Sequence, residues 1–314
     1  MKINPIIPFE PISSDKIPAG EQWASQVKWD GVRVLTYYDG RQVRLFNRRL
    51  NERTLQYPEL LDIRRYCSAE SVILDGEVVA LAEGKPSFHE VMRRDGVRRI
   101  ESVAAARRQV PVSYLLFDVL FCNGEWVVDQ PLRQRQQLLA DIVTPREDVQ
   151  LVASFPDGPG LFEAVRVQGL EGIVCKDLNS SYLIGGKDAR WRKVKNYRDL
   201  TAVVGGVTFN GLTVNAVLLG LYGRDGRLRY IGHAGSGRLT RAEWRALTER
   251  VRPLMTSERP FANMPERIKG AVWVRPEITA RIQFAEWTRG QTLRQPSIQA
   301  FVDTPPRECM LEPQ

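Results

Sequence analysis

Apolar and polar positions alternate through VRVLTYY and again through QVRLFN, with the turn-forming DGR between them. Residues 32–47 are therefore predicted to form a β-hairpin. SVILDGEVVAL, residues 71–81, reads either as a strand pair or as one strand with a tight turn at Asp75-Gly76. VSYLLFDVLFCNGEWV is a long apolar run closed by Asn123-Gly124, which predicts a buried strand followed by a turn. GIVCKD is a short strand, and RWRKVKN is a basic segment in which Trp191 and Val194 are set among the charges. Helical spacing is clearest in PLRQRQQLLADIV, opened by a proline, and in GPGLFEAVRVQG. HEVMRRD and IESVAAARRQ are two further helices, and ERTLQYPELLDIRRYC is predicted to begin one near Tyr57. Residues 1–22 form an irregular lead punctuated by proline.

The pattern changes close to residue 198. TAVVGGVTF, VNAVLLGLYG and LRYIGHAG are strands at short intervals, with turns at Asn210-Gly211 and Asp225-Gly226. LTRAEWRALTERVRPL is an amphipathic helix whose Thr240 and Glu243 have the spacing of a capping box. More β-structure follows in GAVWVRPEITARIQFAEWT. Five or so strands and one helix predict a small barrel of OB type. The expected class is α+β, with one domain over residues 1–197 and a second over 198–314. No internal repeat or low-complexity segment interrupts either.

Composition narrows the function. No apolar run approaches the ~20 residues of a membrane helix, and the first twenty residues lack the apolar centre of a signal peptide. The four cysteines are widely spaced with no CxxC, and the two histidines lie far apart. A disulfide framework and a zinc site are both disfavoured, and a reducing cytoplasm is expected. The formal net charge is +8. Residues 196–314 hold 17 Lys and Arg against 11 Asp and Glu, so most of the excess lies in the last third. That points to a polyanionic partner.

One short segment, QVKWDGVR, poses the chemical question. Asp30-Gly31 is a common hairpin-turn pair, and Lys28 beside it could be an ordinary surface cation. Lys28 could equally be a nucleophile, which would need cations nearby to hold a nucleotide's charge. Arg33 and the run Arg190, Arg192, Lys193 and Lys195 could supply them. Glu77 and Glu171 stand next to glycine at strand edges, where a carboxylate can face a cleft and bind magnesium. Taken singly, each is an ordinary surface carboxylate, Phe117 is a core residue, and Lys193 with Lys195 is a generic basic strand.

Taken in order, KWDGVR, FNRRLNERTLQYPEL, LDGEVVAL, YLLFDVLFCNGEWV, LEGIVCKD and WRKVKN resemble the covalent nucleotidyltransferases. Within that superfamily the set is most similar to ATP-dependent DNA ligases, and to the ligase module of bacterial end-joining ligases. VLLGLY, YIGHAGSG, WVRP and FAEWTRGQTLRQPS resemble OB-domain phrases of the same enzymes, so the resemblance spans about residues 5–305. It implies an adenylation domain of antiparallel sheets with helices, followed by an OB-fold barrel.

The resemblance also implies roles. Lys28 would attack the ATP α-phosphorus and carry AMP, with Asp30 orienting the amine and Gly31 allowing close backbone approach. Arg33 and Arg48 would contact the ribose, the phosphates or the nick 5′-phosphate. Glu77 would bind the ribose or a metal, Phe117 would stack on adenine, and Glu171 would help hold Mg²⁺ or Mn²⁺. Lys193 and Lys195 would grip the α-phosphate, and Arg294 matches an arginine of the last motif. The substrate would be nicked duplex DNA, bound by a monomer in the nucleoid. A Ku-like end-binding protein or a repair polymerase would be its partner.

Three positions depart from the family's pattern. Gln26 stands where a glutamate is usual, and its carbonyl can still accept a hydrogen bond from adenine. In FNRRLNE the arginine could be Arg48 or its neighbour Arg49. Val302 and Pro305 occupy the usual arginine and lysine positions of the final phrase, which contacts the ATP pyrophosphate. The altered final phrase keeps a non-catalytic DNA-binding relative as one alternative; an RNA ligase or a capping-type enzyme, which also uses KxDG and an OB domain, is another.

Overall fold

The computed structural model describes residues 4–235, 239–266, 268–288 and 290–311. Ser236 and Gly237 of YIGHAGSG, and Arg289 of FAEWTRGQTLRQPS, lie outside them. The chain divides into two compact units, Met1–Asn196 and Tyr197–Gln314.

The first unit has eleven strands, in chain order β1 (Glu10–Ser13), β2 (Trp23–Val27), β3 (Val32–Tyr38), β4 (Val43–Asn47), β5 (Val72–Ala82), β6 (Lys85–Pro86), β7 (Val112–Cys122), β8 (Glu125–Trp126), β9 (Val149–Leu151), β10 (Gly172–Asp177) and β11 (Lys187–Lys195). Its helices are α1 (Phe88–Asp95), α2 (Ile100–Gln109), α3 (Leu132–Ile142) and α4 (Gly158–Val167). Two sheets form. The smaller has the order β1-β11-β10-β2, and the larger is built on β4-β3-β5-β7-β8. Pairing is antiparallel except where β1 meets β11 and β9 meets β7. An apolar cluster including Phe9, Leu35, Tyr37, Ile73, Phe121 and Trp191 joins residues of both sheets. The other face of the larger sheet carries the main core, with Val34, Leu74, Tyr114 and Leu116 beneath the helices.

Three expectations are corrected. The lead over residues 1–22 is not wholly irregular, because Glu10–Ser13 form β1 and pair with β11. No α-helix begins near Tyr57; the chain makes two 3₁₀ turns, Pro58–Leu60 and Ile63–Arg65. Tyr57, Leu60, Ile63 and Tyr66 are all buried, at a spacing of three that matches three residues per turn rather than 3.6. Asp75-Gly76 is not a turn. Both lie inside the continuous eleven-residue strand β5. Glycine is required there because an added Cβ would sit 2.6 Å from the Tyr114 ring. The hairpin over 32–47, the turn at Asn123-Gly124 and the four helices of the first unit form where the pattern places them.

The second unit contains β12 (Arg198–Asn210), β13 (Thr213–Tyr222), β14 (Leu228–Ala234), β15 (Met255–Thr256), β16 (Ala271–Phe284), β17 (Glu286–Trp287), β18 (Leu293–Arg294) and β19 (Ser297–Val302), with α5 (Arg241–Val251). β12, β13 and β14 form a meander, α5 follows, and β16 returns to pair with β12 while β19 pairs with β16. That connectivity is an OB-fold. The core holds Val203, Leu219, Ile231, Val251, Ile282 and Ile298. The Thr240 hydroxyl accepts from Glu243 N–H, and the Glu243 carboxylate accepts from Thr240 N–H. Thr240→Ala should therefore cost about 1 kcal/mol, read as a lower urea midpoint for the isolated helix's unit.

Candidate active site

Lys28-Trp29-Asp30-Gly31 is not a hairpin turn. It carries the chain from β2 in the smaller sheet to β3 in the larger one. Gly31 serves close packing, since a Cβ there would meet the Val78 carbonyl at 2.3 Å and Glu77 Cγ at 2.9 Å. Lys28 N–H donates to the Gly172 carbonyl at 2.9 Å, which fixes the end of β2 against β10. Gly172 has φ +146°, and a Cβ on it would meet the Val194 carbonyl at 2.2 Å.

The register assembles one face of the smaller sheet. Gln26 pairs with Val174 and Val174 with Lys193, while Ala24 pairs with Lys176 and Lys176 with Trp191. Gly172 lies opposite Lys195. Side chains two apart on a strand share a face, so Lys193 and Lys195 stand beside each other next to Lys28. Glu171 ties the cluster. Its carboxylate accepts from Lys28 Nζ at 2.6 Å and lies 3.1 Å from Lys195 Nζ. Burial alone would raise the Glu171 carboxyl; Lys28 and Lys195 outweigh it and hold the group below the usual carboxylate range. Burial and the neighbouring charges of Lys195 and Lys28 lower Lys193.

The larger sheet supplies the opposing groups. Arg33 pairs with Glu77 across β3 and β5. Asp75 pairs with Asp118 and Gly76 with Leu116, so Phe117 is the extra residue of a β-bulge. A bulge re-aims its side chain, and Phe117 packs edge-on against Trp191 with centroids 6.1 Å apart. The Arg33 guanidinium lies 5.3 Å from the Phe117 centroid. Its donors are engaged within the protein: Nε and Nη2 bond Asp75 at 2.9 and 2.6 Å, Nη1 bonds the Phe9 carbonyl at 2.6 Å, and Nη2 also reaches Tyr182 Oη at 3.2 Å. Arg33 thus braces the site rather than presenting a free fork to a phosphate. Arginines 190 and 192 turn elsewhere: Arg190 bonds Asp188 and Ser181, and Arg192 lies over Trp23.

Residues 12–195 match the family described as ATP dependent DNA ligase domain, and residues 210–303 match ATP dependent DNA ligase C terminal region. The chain belongs to the ATP-dependent DNA ligase family. It is 32% identical over 285 residues to the multifunctional non-homologous end joining protein LigD of Mycolicibacterium smegmatis, covering 88% of this chain and 35% of that protein. It is 33% identical over 247 residues to a DNA ligase of Archaeoglobus fulgidus, covering 75% of this chain and 44% of that one. The crystal structure of the ligase domain of Mycobacterium tuberculosis LigD superposes with a TM-score of 0.54 at 30% identity, covering 99% of this chain and 100% of that one. The chain spans a little over a third of the length of the LigD relatives.

The remaining positions of this ligase-family chain fall as follows. Gln26 is buried, and its Nε2 donates to Ser154 Oγ at 3.0 Å, leaving the carbonyl as the acceptor end. Arg48 is 61% exposed and 4.0 Å from Glu10; Arg49 is exposed as well. Arg294 belongs to the second unit, where it pairs with Glu286 at 2.7 Å. Val302 ends β19 and its carbonyl accepts from Thr279 Oγ1, and Pro305 leads into the 3₁₀ turn Pro306–Glu308. Val174, Lys176, Asp75 and Tyr182 are parts of the site that the sequence reading did not single out. Alternation from Lys193 and Lys195 across to GIVCKD was the available signal for the first two.

Glu77 keeps part of its surface open but is enclosed by protein. Burial pushes its carboxyl up to about 8, against the opposing pull of Lys28 and Arg33. The unfolded group releases its proton near 4.5, so between 4.5 and about 8 the folded chain binds more protons. Stability conferred by the protonated form should therefore fall as pH rises through that window. Glu77→Gln is expected to flatten the decline, measured as Tm against pH without nucleotide or metal. An unchanged slope would remove Glu77 as its source.

Proposed function

We propose that this chain is an ATP-dependent DNA ligase that seals 5′-phosphate/3′-hydroxyl nicks in duplex DNA through a lysyl-AMP on Lys28. The supporting observation is the Lys28 amine held 2.6 Å from Glu171 beside Lys195. Lys28 Nζ attacks the α-phosphorus of ATP and pyrophosphate leaves. The nick 5′-phosphate then displaces Lys28 and takes the AMP. Last, the 3′-hydroxyl displaces AMP and the phosphodiester forms. Each step is an in-line displacement at phosphorus, in which positioning and charge neutralisation do most of the catalysis.

Glu171 orients the amine, and Lys193 and Lys195 hold the α-phosphate. Asp30, in the loop after Lys28, helps orient the amine. The base lies between Phe117 and Val174, with the Gln26 carbonyl reading its amino group. Arg33 fixes the frame through Asp75, Arg48 meets phosphate at the rim, and Arg294 acts from the OB unit. Mg²⁺ or Mn²⁺ suits Glu77 and Glu171, because such ions take one or two carboxylates and complete the shell with phosphate oxygens and water. When bound, the ion neutralises phosphate charge.

Residues 1–197 act as the adenylation domain and 198–314 as the OB domain, whose cationic excess gives sequence-independent, salt-sensitive DNA affinity. No helix among the described residues is long and apolar enough to cross a membrane. The site of action is the cytoplasmic nucleoid, as a monomer, with a Ku-like end-binding protein or a repair polymerase supplying the ends; the name of the LigD relatives supports that pathway.

The test is the intact mass of the protein after ATP with Mg²⁺, followed by peptide mapping. A gain of one AMP on the Lys28 peptide is expected. An adduct on another residue, or none with any nucleotide, would overturn the reading.

A further inference from the structure

The proposed reaction assigns nothing to Lys176, yet the fold buries its cation in the site. Lys176 is 3% exposed and shares the face of β10 that carries Val174. Its Nζ lies 4.1 Å from the Phe117 centroid and 4.0 Å from the Trp191 centroid, closer to each ring than Arg33 is. The carboxylates that favour its charge, Asp118 and Asp75, are each already held by two nitrogens of an arginine. A buried ammonium with aromatic faces as its immediate surroundings is expensive, and a methionine would fill the same space at lower cost. The arrangement makes sense if the cation acts on the rings.

We propose that Lys176 is a positioning residue for base recognition: wedged against Phe117 and Trp191, it sets the plane of Phe117 and draws electron density from the ring that receives the purine. This rests on the reading that Phe117 stacks on the base. A ring polarised by a cation beside it is more electron-poor, which favours stacking on an electron-rich purine. Trp191, buried and on the next strand, backs the lysine, and the Phe117 ring stays partly exposed.

The experiment is single-turnover self-adenylation against ATP concentration, for wild type, Lys176→Met, Phe117→Ala and the double variant. Lys176→Met should raise the KM for ATP about tenfold with kcat within about threefold. In the Phe117→Ala background it should add almost nothing. Lys176→Arg keeps a cation and should hold KM within about threefold of wild type; it also serves if the methionine variant folds poorly.

The pH profile is a second readout. Burial, helped by Arg33 and Arg135 and opposed by Asp118 and Asp75, lowers the lysine to about 7. Wild type should therefore lose affinity relative to Lys176→Arg between about pH 6 and pH 8. Equal effects of Lys176→Met in both backgrounds, or a loss confined to kcat, would overturn the proposal. An unchanged KM in Phe117→Ala would overturn the stacking reading itself.

Discussion

Lys28→Ala and Lys28→Arg are both expected to lower ATP-dependent nick sealing on the order of 10⁴-fold or more, with no AMP adduct formed. The arginine variant carries the argument. It keeps a positive charge for Glu171, so an ion-pair role for Lys28 would survive it. A guanidinium cannot supply a neutral amine, so a nucleophilic role would not. Supplying a nick already adenylated bypasses Lys28 as nucleophile, and sealing should then recover to within about tenfold of wild type. Retention of more than a few per cent of ATP-dependent activity by Lys28→Arg would sink the lysyl-AMP mechanism. The same pair of assays addresses the final phrase, where this chain has Val302 and Pro305 at the positions for which the family resemblance implies an arginine and a lysine. Slow use of ATP with normal use of the adenylated nick would place their effect in the first step.

Much of the site was legible because strand periodicity is simple. Lys193 and Lys195, two apart in a basic run, had to share a face. The α+β class and the OB unit followed from the change of pattern after the first domain, and the family match and the LigD ligase-domain structure bear them out. What stayed hidden depends on tertiary pairing. KWDG looks locally like a hairpin turn; only the pairing of β2 with β10 and of β3 with β5 makes it a crossing between sheets. The bulge at Phe117 follows from a register shift that neither strand reveals alone. Arg33 reads as a phosphate ligand until Asp75, Phe9 and Tyr182, drawn from distant parts of the chain, claim its donors. The missing helix near Tyr57 had a local cue in its period of three, which proximity to helical spacing obscured.

The largest stability effect is expected at Arg135, far from any catalytic group in sequence. Arg135 and Asp118 are fully buried and joined at 2.8 and 2.9 Å through Nε and Nη2. Arg135 also donates to the Ser180 carbonyl at 3.1 Å and to the Gln130 carbonyl at 2.5 Å, tying α3 to the loop that carries Tyr182. Arg135→Met strands a buried carboxylate and should cost about 3–5 kcal/mol. Adding Asp118→Leu removes that carboxylate, so the double variant should regain a large part of the loss. Hydrogen exchange of the Val112–Cys122 amides is the suitable readout, since it reports this strand without assuming that the two units unfold together. Asp118 is the neighbour of Phe117, so the single variant should also loosen the bulge and raise the KM for ATP. A single variant as stable as wild type would mean that water or another cation reaches Asp118, and the pair could no longer be what holds Phe117 in place.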